Sequence, residues 1–339
     1  MDLRQQVNYS DLCQTNKTDE TLMMTFILVM DGIILASGLV GQILVIVILT
    51  GRRRRDSQPQ HRTDILLLAL SAADLLLLFC LPFHTSAIGL GYWPFGNILC
   101  KVISFLGVAC SVASVFTLAA LAVTRYLTVV HPNWAYRSRK HHRLKLSVAL
   151  LWLPALALAS PQFAIRRVSV SSAVSCFAFL STASQFVYSL ALFLFGFAIP
   201  LGIIVMMYTK IYCFLRHARK LGNAPQLERY QRQVTHTSAL LVVVFTLLWL
   251  PSYSLMFSLI GGTVSVSPAY RTIAIIARLL ASLAAVVNPI LYGFMSQRFR
   301  HELLQLGRAH WTWCKTHLIG CSNMVQPFEL DTPSERGQN

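Results

Sequence analysis

Residues 65–90 read ILLLALSAADLLLLFCLPFHTSAIGL, and the only acidic or basic side chains in this stretch are Asp74 and His84. An α-helix needs about 20 predominantly apolar residues to cross the hydrocarbon core of a bilayer. A helix on the surface of a soluble protein would instead carry charged and polar residues along one face. The stretch therefore predicts a membrane-spanning helix.

Six further apolar runs lie on either side of this stretch. They occupy residues 21–50, 102–124, 146–165, 178–209, 237–260 and 272–295. The only acidic or basic residues within these runs are Asp31 and Arg278. Charged residues make up 12% of the chain, against about 25% of an average soluble domain. We therefore predict an all-α membrane protein whose seven-transmembrane helix bundle covers residues 21–295.

The basic residues predict the orientation of this bundle. Most of the 29 Lys and Arg residues follow the first, third, fifth and seventh spans, as in the run Arg52–Arg55. Loops rich in Lys and Arg stay in the cytoplasm, so the N-terminus is predicted to be extracellular. Residues 1–20 then form an extracellular tail, in which Asn8 and Asn16 each begin a glycosylation sequon. Topology explains the net charge of +16, and no nucleic-acid partner is expected.

Two of the eight cysteines fall at the predicted extracellular end of the bundle. Cys100 lies at the start of span three, and Cys176 lies in the loop between spans four and five. Because that compartment is oxidising, we predict a disulfide between them. Cys80, Cys110 and Cys213 lie within spans or at their ends and are predicted to be small packing residues.

The chain beyond the last span is predicted to lie on the cytoplasmic side. Residues 296–309 alternate basic and apolar positions, which is typical of a short amphipathic helix on the membrane surface. Cys314 and Cys321 follow it and are candidates for palmitoylation. Residues 310–339 are predicted to form a cytoplasmic C-terminal tail. No Cys and His spacing in the sequence indicates a metal site.

One short motif per span, in a fixed order, is shared with a known family. The motifs are Leu70-Ser71-Ala72-Ala73-Asp74 in span two, Trp93-Pro94-Phe95-Gly96 before Cys100, Thr124-Arg125-Tyr126 at the end of span three, Trp152 and Pro161 in span four, Pro200 and Tyr208 in span five, Leu248-Trp249-Leu250-Pro251 in span six, and Asn288-Pro289-Ile290-Leu291-Tyr292 in span seven, with Phe299 beyond it. The set resembles the rhodopsin-like (class A) G-protein-coupled receptors. The stretches Thr63–Phe83 and Ser114–Ala120 resemble peptide receptors of the galanin and allatostatin type.

This resemblance implies a plasma-membrane receptor that is not an enzyme. It implies an extracellular ligand, of the peptide type, and activation of heterotrimeric G proteins, of the inhibitory type, by outward movement of helix six; the arginines of the outer half, described below, favour a peptide or other ligand with an anionic group. Arrestin is a further implied partner. The residues implied in activation and coupling are Thr124, Arg125, Tyr126, Tyr208, Trp249, Pro251, Asn288, Pro289 and Tyr292. Prolines inside helices weaken them locally, which suits hinges in a switching bundle.

The sequence departs from the family pattern beside Arg125. The residue before it is Thr124, where the family carries an acid, so Arg125 lacks its usual inactive-state partner. The nearest acid at the start of span six is Glu228, beside Gln231. One hypothesis is that basal signalling is raised. The alternative is that Thr124 bonds Arg125 or nearby backbone and holds it in place.

A second departure concerns sodium. In many relatives the aspartate of span two binds Na⁺ together with polar groups of spans three and seven. Asp74, Ser114 and Asn288 are retained here, whereas Ala284 and Ala285 replace two frequent ligand positions, and Gln42 replaces the usual asparagine of span one. An allosteric Na⁺ and a hydrogen-bonded or protonated Asp74 are both compatible with this pattern.

The outer half of the bundle is rich in arginine and poor in acid. No acidic residue lies between residues 75 and 227 or between residues 229 and 301, whereas Arg166 and Arg167 lie in the outer loop, where they either steer an anion inward or are simply solvated. The resemblance places Gly107 where amine receptors carry an aspartate, which argues against a monoamine ligand. The candidate ligand contacts besides Arg278 and Asp31 are His84, Ser104, Gly107, Ser111, Tyr253, Met256 and Ser282.

Arg278 is a charge inside span seven, and two partners are compatible with it. A buried arginine in a membrane span needs a partner or a functional role. The first partner is Asp31, because the family's architecture places spans one and seven side by side. The second is an anionic group of the ligand, bound by the guanidinium.

Other classes of protein fit the sequence less well. A transporter would tend to show internal repeats and matching broken helices, and the seven motifs are unlike one another. The closer alternative is a receptor-like protein that signals without a ligand or binds one without coupling, as an orphan or a scavenger. Thr124 is the residue that keeps this alternative open.

Overall fold

The computed structural model describes residues 3–55, 61–131, 141–170, 174–178, 182–220, 225–261, 268–295, 299–305 and 307–308, and for part of these it describes the backbone alone. Long helices dominate these ranges. They are α1 Leu3–Arg55, α2 His61–Leu90, α3 Gly96–Val130, α4 His141–Ala159, α5 Pro161–Ile165, α6 Thr182–Phe193, α7 Ile199–Lys220, α8 Pro225–Ile260 and α9 Pro268–Met295. A π-helical turn, Leu194–Ala198, joins α6 to α7.

The helices confirm the predicted seven-helix fold. Six stretches are long and apolar enough to cross a membrane: Thr21–Gly51, Thr63–Leu90, Gly96–Val130, Val148–Ile165, Ala183–His217 and Thr272–Leu291. A seventh, shorter apolar stretch, Val242–Ser258, lies in α8. Many large apolar side chains on these helices are exposed, among them Leu153 and Leu247. Such a surface suits a bilayer, because the hydrocarbon core surrounds exposed apolar side chains with lipid tails and contains no water.

The first helix begins earlier than the first predicted span. α1 starts at Leu3, whereas the apolar run starts at residue 21. No proline or glycine occurs between Leu3 and Asp31, so nothing interrupts the backbone hydrogen bonds of the helix. The side chains of Asn8 and Asn16 lie outside the described residues, as do Cys314 and Cys321. Residues 299–305, within the predicted amphipathic stretch, are helical.

Helix α3 is central to the bundle. It packs against α2, α4 and α7, while α1 packs against α2 and α9, and α8 packs against α9. Small residues bring α1 close to its neighbours, as is common between membrane helices. A Cβ on Gly38 would lie 2.8 Å from Leu78 of α2, and a Cβ on Gly41 would lie 3.2 Å from Pro289 of α9. The predicted adjacency of spans one and seven is therefore observed.

The π-helical turn has a local cause in Pro200. A proline lacks the N–H for the helix bond and its ring crowds the carbonyl four residues earlier. The preceding turn, Leu194–Ala198, widens to a π-helix, as often occurs at functional sites. The turn places Gly196 against α8, where an added Cβ would lie 3.2 Å from the Tyr253 hydroxyl.

A short hairpin covers one end of the bundle. Strand β1, Arg166–Val170, pairs antiparallel with β2, Val174–Ala178, with Val168 opposite Cys176. The predicted Cys100–Cys176 disulfide is present and ties β2 to the start of α3. Of the cysteines predicted to pack, Cys80 and Cys110 are buried, but Cys213 is exposed, so the prediction was wrong for Cys213. A residue on α7 can face lipid as readily as the core.

Replacing Cys100 by serine is expected to lower the stability of the receptor by about 2–4 kcal/mol, because the disulfide closes a long loop. The apparent melting temperature of the purified receptor in detergent would measure the change. Cys213→Ser is the matched control, since Cys213 is free and exposed and its replacement should change little. Equal melting temperatures for the two variants would contradict the stabilising role of the disulfide.

Candidate functional site

A cavity of about 430 Å³ lies at the end of the bundle that the hairpin covers. We call it the outer cavity. It lies between α2, α3, α9 and the hairpin. Its described lining consists of His84, Ala87, Ile88, Gly91, Tyr92, Trp93, Ile103, Ser104, Gly107, Val108, Arg166, Cys176 and Arg278. Its size and its mainly apolar wall with a few polar groups are typical of ligand sites.

Four of the predicted ligand contacts line this cavity: His84, Ser104, Gly107 and Arg278. Ser104 Oγ lies 3.9 Å from Cys176 Sγ. At Gly107 an added Cβ would meet nothing within 4 Å, so this glycine leaves space in the cavity. The resemblance indicated Gly107 because amine receptors carry an aspartate at this position. The structure shows in addition that the missing side chain leaves open space in the cavity.

The other five predicted contacts lie outside the described lining, and each has a structural reason. Asp31 is 3% exposed and faces Arg278. Ser111 and Ser282 donate hydrogen bonds to backbone oxygens of their own helices. Tyr253 packs its ring against Phe193 and Phe197. Met256 is half-buried in α8.

Two aromatic residues of the first outer loop carry no sequence signal for ligand contact. Tyr92 and Trp93 line the outer cavity. The Trp93 Nε1–H donates to the Gly96 carbonyl at 2.9 Å, and its ring lies 6.4 Å from the His84 ring. The Trp93–Gly96 motif was recognised as a family signature. Its role as a wall becomes visible only when the loop packs between α2 and α3.

Arg278 and Asp31 form the ion pair that was one of the two alternatives. Arg278 Nη2 lies 2.6 Å from Asp31 Oδ2. The same oxygen accepts a hydrogen bond from the Thr85 hydroxyl at 2.5 Å. Three polar atoms of the pair, Asp31 Oδ1 and Arg278 Nε and Nη1, are buried and have no hydrogen-bond partner within the described part of the chain. The pair neutralises charge and links α1, α2 and α9, yet it leaves hydrogen-bonding capacity unused.

Arg166 is held by neutral groups instead. Its Nε–H donates to Gln162 Oε1 at 3.0 Å, and Nη1 lies 3.5 Å from the Cys176 carbonyl. Gln162 in turn donates through Nε2 to the Tyr188 hydroxyl at 3.0 Å, and that hydroxyl donates to the Leu158 carbonyl at 3.0 Å. Burial lowers the pKa of the Arg166 guanidinium from its usual range. The chain of bonds fixes a cation at the wall of the outer cavity.

A second polar centre lies around Asp74 in the middle of the bundle. Its Oδ2 accepts hydrogen bonds from Gln42 Nε2 and Asn288 Nδ2, both at 2.8 Å. Its Oδ1 accepts a bond from the Ser114 hydroxyl at 3.0 Å. Gln42 Nε2 also lies 2.8 Å from the Ala285 carbonyl. We call Gln42, Asp74, Ser114 and Asn288 the inner polar cluster; it joins α1, α2, α3 and α9, and all four residues are buried.

Three donors bond the Asp74 carboxylate, which matches the hydrogen-bonded aspartate that was one of the two alternatives for this position. Hard cations take oxygen ligands, and the cluster also holds one buried amide oxygen, Gln42 Oε1, that has no hydrogen-bond partner among the described residues. Ala284 and Ala285 supply no side-chain oxygen. A cavity of about 20 Å³ adjoins Asp74, Ser114 and Asn288, with Trp249 in its wall; this is room for about one water molecule. Gln42, which stands where the family usually has asparagine, contacts both Asp74 and the Ala285 carbonyl through Nε2.

The opposite end of α3 carries three of the nine predicted coupling residues, Thr124, Arg125 and Tyr126. The Thr124 hydroxyl donates to the Ala120 carbonyl at 2.8 Å, so it bonds the backbone of its own helix. Arg125 has no side-chain hydrogen bond or ion pair within the described ranges. The amine of Lys210 lies 5.8 Å from the centre of the Tyr126 ring, which links α3 to α7. The side chains of Glu228, Gln231 and Tyr292 lie outside the described residues.

The described residues thus form a bundle of apolar helices with a cavity at one end and a buried polar cluster between α1, α2, α3 and α9. The profile of the family described as "7 transmembrane receptor (rhodopsin family)" matches residues 41–292. The chain therefore belongs to the rhodopsin family of seven-transmembrane receptors. This membership confirms the predictions of a multi-pass membrane receptor and of a protein that is not an enzyme.

Curated relatives narrow the comparison. Galanin receptor type 1 of Mus musculus is 32% identical over 287 residues, which cover 84% of this chain and 82% of the relative. The allatostatin-A receptor of Bombyx mori is 28% identical over 305 residues, covering 86% and 82%. Somatostatin receptor type 4 of Rattus norvegicus is 32% identical over 269 residues, covering 78% and 68%. The predicted resemblance to galanin and allatostatin receptors is confirmed.

Proposed function

We propose that the chain is a plasma-membrane receptor that binds an extracellular peptide with an anionic group in the outer cavity. The observation that carries this proposal is the charge of that cavity. Arg166 and Arg278 both line it, and no acidic residue is among its described lining residues. The relatives' names, receptors for galanin, allatostatin-A and somatostatin, support a peptide as the class of ligand.

The signal is proposed to pass to heterotrimeric G proteins of the inhibitory type. The proposed movement is an outward displacement of one end of α8, the end on the side of the bundle where Arg125 of α3 lies. Pro251 lies inside α8 and provides the hinge, because a proline removes one helix hydrogen bond. Trp249 adjoins the inner polar cluster across the small cavity. A shift of Trp249 is therefore expected to change the packing around Asn288, which precedes Pro289 of α9. Arrestin is a further proposed partner of the same end.

The geometry of Thr124 favours raised basal activity. An acid at this position would offer Arg125 a carboxylate, whereas the Thr124 hydroxyl is bonded to Ala120. Without an ion pair, the inactive state loses one of the contacts that distinguish it from the active state, and the population shifts accordingly. A constitutively active orphan is the second candidate function, and a scavenger that does not couple is the alternative.

Nucleotide exchange on purified G proteins would test coupling. Membranes holding the receptor without ligand should stimulate exchange, and Arg125→Ala should lower it at least tenfold. Thr124→Asp should lower basal exchange while leaving agonist-driven exchange intact, since it restores a partner for Arg125. Galanin, allatostatin A and somatostatin are the trial agonists. Exchange that is unaffected by Arg125→Ala would contradict the coupling role, and silence in every arm would favour the scavenger.

The N-terminus is proposed to be extracellular. The distribution of Lys and Arg supports this orientation, and the Cys100–Cys176 disulfide lies at the same end of the bundle that the orientation places outside. Asn8 and Asn16 are then glycosylated, and Cys314 and Cys321 carry palmitate on the opposite side. Deglycosylation of intact cells should reduce the apparent mass of the receptor; a mass unchanged by the glycosidase would contradict the glycosylation.

A further inference from the structure

The two arginines of the outer cavity differ in what compensates their charge. Arg278 lies 2.6 Å from the Asp31 carboxylate, so this pair is already neutral. Arg166 has no carboxylate partner within the described part of the chain; its bonded neighbours are Gln162 and the Cys176 carbonyl. An anion at Arg278 would have to displace or face Asp31. An anion at Arg166 meets an uncompensated cation.

Arg166 is also fixed in place. Its guanidinium is bonded at Nε by Gln162 of α5 and approached at Nη1 by Cys176 of β2. Gln162 is 3% exposed and is itself oriented by the Tyr188 hydroxyl of α6. The disulfide to Cys100 anchors β2. A guanidinium has five N–H donors, so three remain for a ligand, and little side-chain entropy is left to lose on binding.

The surroundings of Arg166 define the body of the ligand. Tyr92, Trp93 and Ile103 share the wall of the outer cavity with it. Gly107 adds open space, since nothing lies within 4 Å of where its Cβ would be. The cavity of about 430 Å³ holds an aromatic amino acid with part of its neighbours rather than a bare inorganic anion. A carboxylate on an aromatic-containing peptide segment matches this combination of cation and apolar wall.

We propose that Arg166, and not Arg278, receives the ligand's carboxylate, with Gln162 and Tyr188 as positioning residues. The inference rests on the proposed function and refines it by reassigning the anion contact. Arg278 then serves structure, as the partner of Asp31. A planar guanidinium can donate two parallel bonds to a carboxylate, and the neutral amide of the same molecule offers only one oxygen and no charge.

A matched pair of probes separates these roles. N-acetyl-tryptophan carries a carboxylate, and N-acetyl-tryptophanamide is its neutral counterpart. The receptor, in nanodiscs of phosphatidylcholine, is titrated with each while its thermal unfolding is followed. The carboxylate probe should raise the melting temperature at millimolar concentration, and the amide should need at least tenfold more for the same rise.

Four variants complete the test. Arg166→Gln should remove the preference for the carboxylate probe, and Arg166→Lys should retain part of it, which guards against a folding defect in the first variant. Tyr188→Phe should reduce the preference without changing the response to the amide. The double variant Asp31→Asn/Arg278→Gln should keep the preference, because it removes both charges of a neutral pair.

Several outcomes would overturn the inference. They are a carboxylate probe that never shifts the melting temperature of the unaltered receptor, equal shifts by both probes, or a preference that survives Arg166→Gln and disappears in the double variant. None of these readouts involves a G protein. Failure of the probe experiment with intact Arg125-dependent exchange would therefore overturn the Arg166 assignment alone, whereas loss of exchange with intact carboxylate preference would count against the proposed coupling.

Discussion

Replacing Asp31 by asparagine is expected to destabilise the receptor by about 3–5 kcal/mol, because it leaves a charged arginine without its partner in a membrane span. Asp31 is 3% exposed, and the Arg278 side chain is 23% exposed, so little water is available to solvate the orphaned guanidinium. The bond from Thr85 is weakened at the same time, since an amide oxygen is a poorer acceptor than a carboxylate. The apparent melting temperature in detergent and the yield of folded receptor would report the loss.

A double-mutant cycle provides the control for this prediction. Asp31→Asn/Arg278→Gln replaces both charges by amides of similar size and should recover most of the stability that the single variant loses. Thr85→Val should cost about 1 kcal/mol, the worth of one hydrogen bond. If the double variant is as unstable as the sum of the two single variants, the ion pair contributes no coupling energy and α1 is held to α9 by packing alone.

The second large effect is expected at the inner polar cluster. Asp74→Leu removes the acceptor of three hydrogen bonds, from Gln42, Ser114 and Asn288. Hydrogen bonds between membrane helices contribute about 0.6–1.7 kcal/mol each, so the loss should total about 2–5 kcal/mol. Because these donors lie on three helices, the substitution should also weaken the agonist-driven response in nucleotide exchange.

Ser71 is the matched control for Asp74. It lies one helical turn earlier on α2 and is fully buried, but its hydroxyl has no partner among the described residues. Ser71→Ala should therefore be neutral or slightly stabilising, because it removes an unsatisfied polar group.

Exchanging Na⁺ for N-methylglucamine should leave the melting temperature and basal exchange unchanged. A sodium-dependent stabilisation that Asp74→Leu abolishes would contradict the hydrogen-bonded aspartate and restore the sodium site.

The position of each span could be predicted from local sequence, whereas the sites depended on how the helices pack. The stretch 65–90 predicts a helix because apolar length alone determines insertion into a bilayer. Two predicted ligand contacts on α8 show where local sequence was not enough to predict a site. Tyr253 and Met256 were predicted ligand contacts, yet Phe193 of α6 and Phe197 of the π-helical turn pack against Tyr253. The described lining of the outer cavity contains neither Tyr253 nor Met256.

Apolar length, redox compartment and motif order were enough to predict the number of spans, the disulfide between Cys100 and Cys176, and the family. Which charged side chains contact each other depended on how the helices pack. Asp31 and Arg278 are 247 residues apart in the chain, and Arg166 faces the outer cavity through a hairpin that a disulfide anchors. The physical reason is geometric: hydropathy gives the depth of a residue along a helix, but not the face on which it lies. Rotation about the helix axis is set by packing against neighbouring helices, and this brought Arg278 of α9 to Asp31 of α1. Arg166 lies on β1 instead, and its place in the wall of the outer cavity depends on how the hairpin packs.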